Sequence, residues 1–225
     1  MRLSRFGFLV LAFCFSIGVA AAGNFSYTGA FSQDDQLEVF LFTAPSASTV
    51  VRTWSYAGGI NDAGQVILPG GFDPILTVFD ATGGLVAGSS LIDSNNDGAG
   101  VDTDPVTGNA FDSLLVLNLL TPGSTYALIL SQNDNVANGP TYGDGFSRSG
   151  QGNFTAGAFG CPGTDPFCDA SPAQRNGQWA VDILGVGSAT DVTNTGAVPE
   201  PGTTLLLVTG LSSLVVLGRR PKNKS

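Results

Sequence analysis

Apolar and polar residues alternate along this chain in short runs, and the runs are separated by clusters of Gly, Pro, Asn and Asp. Eight segments carry the pattern: 25–31, 37–44, 48–57, 75–80, 84–91, 113–120, 124–131 and 178–186. They are rich in Val, Ile, Leu, Thr and aromatic residues with partial period-two alternation, which predicts β-strands. No stretch between them shows the three-to-four-residue periodicity of an amphipathic helix. The body of the chain therefore predicts an all-β fold, an antiparallel β-sandwich built on tight turns. The 131–150 segment is polar and reads as a long surface loop offering a face for binding.

The two ends break this pattern. Arg2 and Arg5 precede an apolar run over 6–19, and Ala20, Ala21 and Ala22 follow it as small residues suited to a signal peptidase. Residues 1–22 thus read as a signal helix that directs export. Cys14 does not mark a lipoprotein, because bulky Phe13 precedes it and both lie inside the apolar run. At the other end, 203–218 forms a second apolar segment of roughly 24 Å if helical, slightly short of a hydrocarbon core of about 30 Å. Arg219, Arg220, Lys222 and Lys224 follow directly and favour a cytoplasmic end, with 222–225 as a cytoplasmic tail. Pro199 and Pro201 hold the preceding peptide extended.

Val198, Pro199, Glu200 and Pro201, then the short apolar helix, then Arg219 and Arg220 resemble the PEP-CTERM sorting signal of exopolysaccharide-producing Gram-negative bacteria. Over 198–221 all three parts stand in the family's order and spacing. The resemblance implies a transient stay in the membrane and processing by an exosortase, a membrane cysteine transpeptidase. A simple single-span anchor is the alternative.

Charge and composition narrow what the body can do. Between the two ends lie seventeen acidic residues and only Arg52, Arg148 and Arg175, a net charge of −14. Such a surface repels phosphate backbones and excludes nucleic-acid binding. Histidine is absent from the chain and lysine from its body, which removes Ser-His-Asp, Cys-His, His-zinc and Schiff-base chemistry. No catalytic residue is assigned, and a carboxylate-pair hydrolase is the remote enzymatic alternative. Cys161 and Cys168, spaced as CPGTDPFC in an exported protein, predict a disulfide closing a small loop.

Within the body, the strand-like FDPILTVFD (72–80), an Asn/Asp/Gly-rich loop, FDSLLVLNL (111–119) and the TPGSTYALIL hairpin resemble the bacterial pre-peptidase C-terminal (PPC) domain. The resemblance spans about 30–131 and implies a jelly-roll-like sandwich that binds or assists rather than catalyses, here as a lone ectodomain over 23–197. Taken with the sorting tail, it implies an exported structural or adhesive protein of an exopolysaccharide matrix.

One loop carries candidate chemistry of its own. DSNNDGAGVDTD places Asp93, Asn95, Asp97 and Gly98 in the D-x-[DN]-x-[DN]-G pattern, with Ala99 offering a carbonyl and Asp104 closing the set at the twelfth position. Calcium takes six to eight oxygens, and such a loop can gather them. Strand-like flanks rule out an EF-hand. Asp73, Asp102 and Asp112 could complete a different shell, and an ordinary Asx-rich turn accounts for the same residues. With calcium, the body could serve as a carbohydrate-binding module.

Overall fold

The structure, a computed structural model, describes residues 21–193. Residues 1–20 of the predicted signal segment (1–22), the sorting motif, the predicted apolar helix over 203–218 and the basic tail lie outside the described residues, and no described helix is long and apolar enough to cross a membrane.

Two antiparallel sheets stack face to face. The four-stranded sheet has the order β1-β10-β3-β8, from β1 (Gly23–Ala30), β3 (Thr49–Thr53), β8 (Leu114–Leu117) and β10 (Gln178–Val186). The five-stranded sheet has the order β11-β2-β9-β6-β7, from β2 (Glu38–Thr43), β6 (Pro74–Asp80), β7 (Leu91–Asn96), β9 (Thr125–Gln132) and β11 (Ser188–Asp191). A separate two-stranded ribbon pairs β4 (Gly59–Ile60) with β5 (Val66–Ile67). One short helical turn, α1 (Thr155–Phe159), precedes the disulfide loop.

Alternation along the strands explains the stacking. Phe40 and Phe42 of β2, Val51 of β3, Leu115 and Leu117 of β8, Leu128 and Leu130 of β9, and Trp179, Val181 and Ile183 of β10 share one core between the sheets. These residues recur every second position, so each strand offers one apolar face to the other sheet. The central strands β6 and β9 are buried on both faces. Their outer face meets the 131–150 segment, which is a cover rather than a free surface loop. Phe146 and Tyr142 pack edge-on against Phe79, at ring separations of 6.5 and 5.6 Å. The segment is pinned by bridges from Ala137 to Phe146 and from Ser90 to Thr141.

One predicted strand is displaced. Over 84–91 the chain turns, with Gly83 and Gly84 at positive φ and hydrogen bonds closing at Gly84 and Ser89, so only Leu91 enters a strand. The strand runs instead through the polar Leu91–Asn96, the first half of the acidic loop. As an edge strand with a largely exposed face, β7 needs no apolar alternation. Its far end turns the corner onto the other sheet. Asn95 Oδ1 accepts the Leu114 N–H at 3.0 Å, and Ser113 Oγ donates to Asn95 O at 3.0 Å.

At this corner Gly98 packs against β8, and a Cβ there would fall 2.3 Å from Leu114 N and 2.6 Å from Leu114 Cβ. Gly98 is thus required by close backbone approach, and its φ is not left-handed. Gly98→Ala is expected to lower stability by about 1–3 kcal/mol through overpacking, read as a lower urea midpoint of unfolding.

Candidate functional site

The loops at this end of the sandwich are held by buried aspartates rather than by regular ladders. Asp112 Oδ1 accepts from Thr53 Oγ1 (2.7 Å), Ser55 N (2.7 Å) and Tyr56 N (3.1 Å), and its Oδ2 accepts from Ala57 N (2.8 Å). Asp34 gathers Phe154 N, Thr155 N, Thr155 Oγ1 and Phe167 N. Asp169 accepts from Tyr56 Oη at 2.5 Å and from the Ser171 and Ala173 backbone N–H groups. A carboxylate has about four lone-pair sites on a short, stiff arm, which suits clamping irregular backbone that cannot bond to itself.

Asp104 belongs to this group. Its side chain is fully buried against Arg175, with the Arg175 Nη2 2.9 Å from Asp104 Oδ2. Val106 and Thr107 donate their backbone N–H to Asp104 Oδ1. Burial alone would raise its pKa, but the hydrogen bonds from Arg175, Thr107 and Val106 hold it below the usual carboxylate value. Arg175 also donates to Tyr56 O (2.6 Å) and Gly71 O (3.1 Å) and lies 3.9 Å over the Tyr56 ring.

The acidic loop is therefore spread over several environments. Asp93 and Asn95 sit in β7, where Asp93 accepts the Ser94 N–H and Asn95 binds the backbone of β8. Asp97 ends the strand at φ 64° and turns the chain into Gly98, with Ala99 exposed beyond it. Asp104 is committed to Arg175. Among the described residues no three Asp, Glu or Cys side chains are gathered as a metal site.

Asp73 differs from the other buried aspartates at this end of the sandwich. It is 1% exposed, and its Oδ1 has no hydrogen-bond partner. Burial first, and then the negative charges of Asp97, Asp169 and Asp112, push its pKa well above the usual carboxylate value, against a hydrogen bond from Asn133. Asp97 is exposed on one side, and the neighbouring groups on its other side raise its pKa by partial desolvation. Asp73 and Asp112 were legible in sequence as acids at strand ends. Arg175 was not singled out, although its rarity in so acidic a body is the signal that could have found it.

Cys161 and Cys168 are bonded, with their Cα atoms 5.9 Å apart. The bond closes the loop after α1, and Cys168 N donates to Thr155 Oγ1, tying that loop to the Asp34 clamp. No Phe, Tyr or Trp among the described residues is exposed. Trp54 has Arg52 3.4 Å over its ring and Gly59 packed against it, and its Nε1 donates to Asp182 at 2.6 Å. These rings serve packing rather than sugar stacking. Val198, Pro199, Glu200, Pro201, Arg219 and Arg220 lie outside the described residues. Comparison with known protein families, with curated proteins and with solved structures finds no match.

Proposed function

We propose that this chain is an exported, non-enzymatic surface or extracellular-matrix protein, carried out by its signal peptide and sorted by a PEP-CTERM tail that an exosortase processes. The observation that carries this is the tail itself: Val198-Pro-Glu-Pro, an apolar segment of sixteen residues over 203–218, and Arg219-Arg220 at once after it. The disulfide fits an oxidising compartment. A body without histidine or lysine, whose buried aspartates mostly clamp loops, fits a structural or adhesive role in an exopolysaccharide matrix better than a catalytic one. On this reading the sandwich is the PPC-like, jelly-roll-like cargo and 198–221 is its removable handle.

The test is fractionation of an exosortase-bearing Gram-negative host, with mass spectrometry of the mature C-terminus. The wild-type chain is expected outside the inner membrane, ending near Pro199–Pro201. Replacing Pro199, Glu200 and Pro201 together by alanine is expected to leave full-length protein in the membrane. A wild-type protein that stays full-length and membrane-bound would sink the proposal in favour of a plain anchor.

A further inference from the structure

Three segments converge at one end of the five-stranded sheet. Asp73 N-terminal to β6 stands between Asn133 of the β9 side and the end of β7. Asn133 N donates to Asp73 O at 2.8 Å, and Ile75 is in register with both Asn96 and Ser131. Asn96 Nδ2 reaches across β6 to Asn133 Oδ1 at 3.2 Å, so the two amides bridge the strand just beyond Asp73. Asp97 follows Asn96, and its left-handed turn leads the chain back beside Asp112, whose carbonyl accepts the Gly98 N–H at 2.9 Å.

Two acidic residues, Asp73 and Asp97, thus stand at neighbouring strand ends, with different partners from those of the other acids at this end. Asp112 and Asp169 are saturated by donors and Asp104 has Arg175. Asp73 Oδ1 is buried without a donor, and Asp97 is exposed at the turn after β7. Leaving a buried carboxylate oxygen unbonded is costly, and a second carboxylate beside it adds repulsion. A water could satisfy one lone pair but not the paired negative charge.

We propose that Asp73 and Asp97 hold a divalent cation of the calcium type, with the buried carboxylate as the fixed ligand and the surface one as its closing arm. Two carboxylates balance the ion's charge, and exposed Asp97 leaves room for waters to complete six to eight oxygens. Calcium suits this site better than magnesium, which demands a near-ideal octahedron that an irregular strand end does not impose. Of the acidic-loop residues, only Asp97 takes part. The site belongs to the folded body and is independent of how the tail is processed.

Thermal unfolding of the full chain in detergent, in EDTA and in saturating calcium chloride, tests the proposal. Calcium is expected to raise the midpoint by about 5 °C, with one ion bound per chain by calorimetry. Asp97→Asn, at an exposed position, is expected to melt with the wild type in EDTA and to lose the calcium shift. Asp73→Asn is expected to lose the shift too, yet to melt higher than wild type in EDTA, because the buried unbonded charge is gone. Asp93→Asn is expected to keep the shift. No shift in the wild type overturns the proposal, as does a shift kept by Asp73→Asn or Asp97→Asn. A shift lost in Asp93→Asn also overturns it and returns the ion to the acidic loop.

Discussion

Arg175→Ala is expected to cost about 3–5 kcal/mol of folding stability, the range for breaking a buried ion pair from one side. The guanidinium holds three oxygens from separate segments: Asp104 Oδ2, Tyr56 O and Gly71 O. Its removal strands the Asp104 charge in a site where that side chain is fully buried. The two carbonyls lose a donor at the same time, and the Tyr56 ring loses the planar group stacked on it. Urea unfolding at neutral pH should show the loss as a lower midpoint. Changing Arg175 to Met and Asp104 to Asn together should recover much of it, because no uncompensated charge then remains.

The pH dependence of this effect has a defined sign. Asp104 has a folded-state pKa below its ordinary 3.8, so its pairing contributes stability above 3.8 that is lost as pH falls through the folded value. The gap between wild type and Arg175→Ala should therefore narrow as pH drops below 3.8, where Asp104 protonates. A gap that stays constant into acid would mean that lost packing, not charge, carries the effect.

Asp112→Ala is expected to cost about 4 kcal/mol, since each buried donor left without an acceptor costs about 1–3 kcal/mol. Four donors lose their acceptor together: the Thr53 hydroxyl and the N–H groups of Ser55, Tyr56 and Ala57. Asp112→Asn should cost less, about 1–2 kcal/mol, because an amide oxygen can keep the contacts of Oδ1 while the Ala57 N–H faces a donor. Amide hydrogen exchange gives a local readout. The amides of Ser55, Tyr56 and Ala57 should lose protection first in the alanine variant, while those of the Leu128–Leu130 core follow global unfolding.

The strands that bury one face were legible because burial imposes period two. Phe40 and Phe42, or Val181 and Ile183, repeat on that spacing and lie between the sheets. β7 escaped because its largely exposed face leaves Asp, Ser and Asn where apolar residues would have announced a strand, while the apolar Leu85 and Val86 nearby belong to a turn. β11 escaped because Ser188–Asp191 is short and polar except for Ala189. The acidic loop was visible as a cluster, but its division between a strand, a corner and the Arg175 pair depends on contacts 71 residues apart in sequence. An aspartate that clamps backbone and one whose buried oxygen has no donor look alike in sequence. What separates Asp112 from Asp73 is which donors the fold brings to each.

Every basic side chain of the folded body is already engaged. Arg52 lies over Trp54, Arg148 pairs with Asp134 and stacks on Phe154, and Arg175 is sealed against Asp104. The outward field is therefore of one sign, and two such bodies approaching within a Debye length, about 8 Å at physiological salt, push each other apart. Repulsion between copies would then be strongest at low ionic strength, where that field is least screened, and association of the bodies would rise with added salt.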